Sequence, residues 1–250
     1  MQQAALRIPS GYGTSFEVPL VEPLSSRDAL IADYWAAHPR YCFFKSVKRD
    51  AALLDIGAGS GGLAVWKEWG SPVRDDLRMY AIDLFEGEYF DRYADFELID
   101  PAAKRTKFDD ATFDAAVLSH VIEHVGDQRA LLGELRRVLK PGAKAYIEWP
   151  HPASTRFPRA SMLAGLGLKT STINFFDDGT HLSALQPEET KARLIDSGFD
   201  IVASGMIAND FLAPQLISYG YKYFDEETTT YGVWLLLGFS TYIIAQRRDL

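Results

Sequence analysis

From residue 51 onward, short apolar runs alternate with stretches whose apolar positions recur every three or four residues. That rhythm is the one left by strands and helices taking turns along a mostly parallel sheet. Strands are predicted over Ala51–Ile56, Arg78–Asp83, Phe96–Ile99, Phe113–Ser119, Ala143–Trp149, Phe199–Ile207 and, as a long strand toward one side of the sheet, Val233–Gln246. Helices are predicted over about Ser60–Trp69, near Glu86–Tyr93, over Asp127–Leu139 with Pro141-Gly142 as its stop, and over Pro187–Ser197, ended by Gly198. Upstream, Ser25, Ser26 and Asp28 mark a helix start, and Leu30, Ile31, Tyr34 and Trp35 give it an apolar face to about His38. Residues 1–23 mix Gly, Pro and polar residues without a sustained period and read as an irregular arm.

The expected layout is an N-terminal arm with helices over 1–48, then one α/β domain over 49–250 with cap-like insertions near 150–186 and 209–231. The second insertion carries Phe211, Tyr219, Tyr221, Tyr223, Phe224 and Tyr231, which suit packing over the sheet, a homodimer contact or the wall of an apolar pocket. At 250 residues the chain can bury a core without metals or disulfides. Its single cysteine, Cys42, cannot close an internal disulfide, and no leader of secretory type is read at the start, so a cytoplasmic setting is expected. Acidic residues outnumber basic ones 34 to 26, with no basic stripe, which argues against a nucleic-acid partner. The longest apolar stretch, Gly232–Ile244, falls short of the ~18 residues a membrane span needs. No membrane partner is therefore expected.

The chemistry starts at Leu53–Gly62, LLDIGAGSGG, where Gly57, Gly59 and Gly62 satisfy a dinucleotide-type G-x-G-x-x-G between a strand and a helix. Glycines there let backbone approach a ligand closely, which suits a nucleotide or a nucleoside. Asp55, two residues before the first glycine, discriminates between them. A fixed carboxylate repels a pyrophosphate, but attracts a cationic group or orients loop amides. S-adenosylmethionine, with an ammonium, a sulfonium and no phosphate, meets that demand better than NAD.

D-I-G-A-G-S-G-G also resembles the first motif of class I S-adenosylmethionine-dependent methyltransferases. The match continues with A-I-D at Ala81–Asp83, F-D-A-A-V-L-S-H-V-I-E-H-V at Phe113–Val125 and L-R-R-V-L-K-P-G-A at Leu135–Ala143, in the order of the small-molecule, type 11-like group. It is strong over about 50–150 and weaker to 208. The resemblance implies a Rossmann-like, seven-stranded, mostly parallel sheet with helices on both faces and an antiparallel last strand. It implies S-adenosyl-L-methionine as cofactor and a small-molecule acceptor. Asp55, Gly57, Ala58, Gly59 and Gly61 would form the cofactor loop, Asp83 would take the ribose hydroxyls with Leu84 beside the adenine, and Asp100 would face the adenine amino group. Asp95 competes with Asp100 for that role. Ser119 and His120 would stand at the methionine end, and Glu123 and His124 suit a helix cap as well as chemistry.

The tetrapeptide of N-P-P-Y type is replaced by Ser119-His120-Val121-Ile122, which lowers the expectation of nucleobase or glutamine methylation. Methyl transfer to oxygen needs a proton acceptor, and imidazole is the natural one near neutral pH. His120, His151 and His181 are the candidates, while His38 reads as packing or surface. No residue set has metal-ligand spacing, so no metal is expected. The expected function is methylation of a small molecule, of aromatic or apolar kind, most readily at oxygen. The competing readings are a cofactor-binding scaffold for a non-methylating reaction such as a cyclisation, a binding module, and an NAD-dependent reductase.

Overall fold

The computed structural model describes residues 5–100, 103 and 105–249. In chain order the elements are β1 (Ala5–Pro9), β2 (Ser15–Pro19), α1 (Arg27–Ala37), α2 (Pro39–Ser46), β3 (Ala52–Ile56), α3 (Gly62–Val65), β4 (Arg78–Asp83), β5 (Asp95–Leu98) and β6 (Phe113–Ser119). There follow α4 (Gln128–Val138), β7 (Leu139–Pro150), α5 (Ala160–Ala164), α6 (Pro187–Asp196), β8 (Phe199–Ile207), α7 (Leu212–Tyr223), α8 (Glu226–Leu237) and β9 (Ser240–Arg247). Single 3-10 turns lie at Phe90–Arg92, Ile122–His124, Pro152–Arg156 and Phe175–Asp177.

Seven strands form one sheet in the order β5-β4-β3-β6-β7-β9-β8. β3 pairs in parallel with β4 and β6, β4 with β5, and β6 with β7. The last strands run antiparallel, so the sheet is Rossmann-like and mostly parallel. The order reverses on the two sides of β3, and in open α/β sheets such a switch point opens a crevice at the carboxyl ends of the strands. β3 is buried along its whole length, as a strand covered on both faces should be.

Two compact units emerge. Unit 2 comprises Arg40–Trp149, Pro187–Gly205 and Tyr242–Leu250; its core is built on Phe44, Leu53, Met79, Phe90 and Tyr146, each no more than 1% exposed. Unit 1 comprises Met1–Pro39, Pro150–Gln186 and Met206–Thr241, with a core of Ile8, Leu163, Ile217, Val233 and Phe239. Its helices α7 and α8 approach at two glycines: a Cβ on Gly220 would fall on Thr229 Oγ1, and one on Gly232 would lie 2.8 Å from Ile217 N.

Several expectations change. The arm contains a hairpin, β1 pairing antiparallel with β2 from Ala5↔Pro19 to Pro9↔Ser15. The helix after the glycine loop is four residues long, and Glu86–Tyr93 holds only the 3-10 turn at Phe90–Arg92. The helix expected to stop at Pro141-Gly142 ends at Val138, and those two residues lie inside β7, beside a register shift between Phe113 and Ala115. The largest departure is Val233–Gln246, where α8 runs to Leu237, Gly238 caps it at φ 66°, and β9 starts at Ser240. β9 is an interior strand, between β7 and β8, rather than one at the side. β7 reaches Pro150, and residues 151–186 hold no strand. Among the described residues, no helix is long and apolar enough to cross a membrane.

Candidate active site

Within unit 2, the carboxyl ends of β3, β4 and β6 and the face of α4 line a cleft of about 590 Å³. That volume lies within the ~300–1,000 Å³ typical of small-molecule sites. Gly57, Gly59, Asp83, Leu84, Asp100 and His120 are among its lining residues, whereas Asp55, Ala58, Gly61 and Ser119 are not.

The glycine loop is closed from inside. Gly57 N–H and Ala58 N–H donate to Ile82 O at 2.8 and 3.3 Å, and Gly59 N–H donates to Asp83 Oδ2 at 2.7 Å. Asp83 Oδ1 accepts from Leu84 N–H at 2.6 Å and Phe85 N–H at 3.3 Å, which fixes the carboxylate at the strand end. Gly57 and Gly59 have φ of 70° and 57°, a region side chains rarely enter. A Cβ on Gly57 would fall on Val121 Cγ2, while one on Gly59 would meet nothing within 4 Å. The first glycine is thus required by packing, and the second faces open space.

Asp55 is 5% exposed, and the Tyr93 hydroxyl donates to its Oδ2 at 2.6 Å. Burial raises its pKa from 3.8 to about 6, against the opposing pull of Tyr93 and Arg40. The carboxylate therefore stands inside the protein, where it can orient the loop, rather than on the cleft wall. Of the two acids near β5, Asp100 lines the cleft at the carboxyl end of the sheet. Asp95 begins the strand and is tied to Lys107 Nζ at 2.7 Å. Pro101, Ala102 and Lys104, within the lengthened Asp100–Phe108 segment, lie outside the described residues.

His120 follows β6 at φ 55°. Its Nδ1 lies 3.2 Å from Glu123 Oε1 and its Nε2 3.1 Å from Glu148 Oε1, and both carboxylates are buried. Burial alone would lower the imidazole pKa, but the two carboxylates outweigh it and push it up to about 9. The expected base is instead an imidazolium at neutral pH, with both N–H groups committed as donors. Glu148 Oε2 also accepts from the Tyr146 hydroxyl at 2.8 Å and lies 3.8 Å from Arg40 Nε. Arg40 Nη1 in turn donates to Ser119 Oγ at 2.6 Å. The Glu123-His124 turn is a 3-10 turn without a side-chain cap bond, so Glu123 acts here as a partner of His120 rather than as a cap.

The other two candidate histidines belong to unit 1. His151 Nδ1 accepts from Ala153 N–H at 3.1 Å, capping the turn at Pro152–Arg156, and burial lowers its pKa. The His181 side chain is 4% exposed, its ring lies tilted 4.6 Å from that of Phe175, and its Nδ1 donates to the Phe175 carbonyl. A local bond holds Nδ1 of each ring.

Arg40, Tyr93 and Glu148 were not singled out in the sequence. Glu148 alone leaves a signal there: a carboxylate inside the apolar run Ala145–Trp149 must find a buried partner.

A family model described as a methyltransferase domain matches residues 29–204, well over half the chain. The chain belongs to this methyltransferase family. S-adenosyl-L-methionine is the cofactor expected of it. A 2-phytyl-1,4-naphtoquinone methyltransferase of Synechocystis is 33% identical over 102 residues, 38% of this chain and 43% of that protein. The chain thus aligns with less than half the length of this curated relative. A SAM-dependent methyltransferase structure from Archaeoglobus fulgidus is 21% identical, with TM-score 0.54 over 89% of this chain and 95% of the other. The [4+2]-cyclase SpnF is 18% identical, with TM-score 0.53 over 87% and 80%. The family's fold therefore houses more than one kind of reaction, and the site must carry the functional argument.

Proposed function

We propose that the chain binds S-adenosyl-L-methionine in the cleft of unit 2 and transfers its methyl group to an oxygen of a small, aromatic or apolar acceptor. The observation that carries this reading is the bond from Gly59 N–H to Asp83. It turns the loop amides toward the protein, so that they do not make the phosphate cradle a dinucleotide needs. The same carboxylate faces the cleft, where it can accept ribose hydroxyls. A nucleoside without phosphate fits this pair of features; a pyrophosphate does not. Gly59, open on its Cβ side, leaves room for the ligand's approach, and Leu84 supplies an apolar contact.

When bound, the cofactor supplies a methyl group on a positively charged sulfur, already activated for displacement. The chain's task is then to align acceptor and donor and exclude water. His120 holds its proton against two carboxylates. Neutral His151 uses Nδ1 as an acceptor, so its proton resides on Nε2 and that atom donates rather than accepts. These bonds support an acceptor acidic enough to shed its own proton, of phenol or quinol type, rather than an alcohol that needs a histidine base. The naphthoquinone in the relative's name supports the same aromatic, apolar class.

The test is transfer of labelled methyl from S-adenosylmethionine to a panel of phenols, quinols and aliphatic alcohols. Transfer to the acidic hydroxyls alone is expected. S-adenosylhomocysteine binding without transfer to any acceptor would favour the non-methylating scaffold, and thermal protection by NADH but not by S-adenosylhomocysteine would overturn the cofactor assignment.

A further inference from the structure

The turn after β6 carries a chain of contacts that the cofactor reading does not require. His120 occupies a left-handed conformation that residues with a side chain seldom adopt. Three bonds hold it there: Nδ1 to Glu123 at 3.2 Å, Nε2 to Glu148 at 3.1 Å, and its backbone N–H to Glu148 O at 2.8 Å. Glu148 is itself fixed on β7 by Tyr146 and flanked by Arg40 of α2, which reaches back to Ser119. The next residue, Val121, fills the space in which Gly57 has no side chain. A continuous path therefore runs from β7 through Glu148, His120 and Val121 to the first glycine of the loop.

We propose that Glu148 and Glu123 are positioning residues for the cofactor site, acting through the charged ring of His120 to hold the His120–Val121 wall at its set distance from the glycine loop. The inference rests on the cofactor reading given above. A neutral imidazole carries a single N–H and can donate to only one of the two carboxylates. Loss of the proton therefore opens one arm of the clamp. Tyr146 and Arg40 also face Glu148, and the neighbouring His124 Nε2 stands 4.0 Å from Glu123 Oε1, beyond hydrogen-bond reach. The site is then competent only in the fraction of molecules with His120 charged.

The experiment is calorimetric binding of S-adenosylhomocysteine from pH 7 to 10, for the full chain and for the variants His120→Asn and Glu148→Gln. Asparagine tolerates the left-handed backbone while removing the titrating ring. With His120 titrating at about 9, the competent fraction falls from ~0.9 at pH 8 to ~0.1 at pH 10, so the dissociation constant should rise about tenfold. The ligand's own amino group also titrates in this range, so the quantity read is the difference between parent and His120→Asn. The parent should show the extra tenfold loss, His120→Asn should bind more weakly at pH 7 without it, and Glu148→Gln should shift the loss to lower pH. Histidine NMR of the ligand-free protein adds a readout independent of binding: one ring still charged at pH 8 in the parent and missing in His120→Asn. Identical profiles in parent and His120→Asn, or no such ring, would overturn the positioning role while leaving the cofactor reading intact. Absence of binding at every pH in the parent would overturn both.

Discussion

Asp55→Asn should make the protein more stable at pH 8 and a poorer binder of the cofactor. The buried carboxyl titrates at about 6 instead of 3.8. A rise of about two pH units is worth ~3 kcal/mol at 1.36 kcal/mol per unit. The sign follows from the folded form holding the proton more tightly than the unfolded chain. The stability this site contributes is fully present below the unfolded value of 3.8 and is lost as pH rises through about 6. Asparagine cannot ionise, and its carbonyl keeps the Tyr93 hydroxyl as donor. Its buried amide needs new acceptors, at ~1 kcal/mol, which leaves a net gain of ~2 kcal/mol above pH 7. For a chain of this size that is about 4–8 °C in melting temperature. Thermal melts followed by circular dichroism from pH 4 to 8 should show the variant slightly below the parent at pH 4, crossing it between pH 4 and 6, and above it by pH 8. A gap independent of pH, or a variant less stable than the parent at pH 8, would refute the assignment of a costly buried charge. A loss of S-adenosylhomocysteine affinity in the more stable variant would show what the charge is kept for.

Gly59→Val places a branched side chain at φ 57° in the open space of the cleft, so S-adenosylhomocysteine binding should fall below detection in calorimetry. Gly220→Ala drives a Cβ onto Thr229, 2.7 Å from its backbone N, and should cost ~1–3 kcal/mol in a denaturant titration through overpacking of α7 against α8. His151→Ala removes the cap on Ala153 N–H and should lower stability by ~1 kcal/mol while sparing cofactor affinity, as read from melts with and without S-adenosylhomocysteine.

Strands β4, β6 and β8 were readable to the residue because β4 and β6 stop at a polar residue, Asp83 and Ser119, and β8 starts directly after Gly198. Val233–Gln246 was not readable in the same way. α8 is apolar almost all round and includes Thr228, Thr229 and Thr230, so neither period nor β-branching distinguishes it from a strand; only Gly238 marks its end. The hairpin of β1 and β2 rests on short alternations, Leu6/Ile8 and Phe16/Val18, too brief to stand out among Gly and Pro. The glycine loop and Asp83 were legible because their relation is one of local spacing and strand ends. The state of His120 was not, because one of its two determining partners, Glu148, is 28 residues away, and because a histidine's charge depends on what folding places beside it.

The division into two units has a consequence for how this protein can be altered. The chain passes from one unit to the other five times, at 39/40, 149/150, 186/187, 205/206 and 241/242. Neither unit corresponds to a contiguous stretch of gene, so unit 1 cannot be removed, exchanged or expressed as a cassette. Changes to it must be made by substitution within three separated segments, joined to unit 2 at those five crossings. A truncation at 149/150, 186/187 or 205/206 would strip residues from both units at once, and such fragments should be recovered as aggregates rather than as a smaller working enzyme.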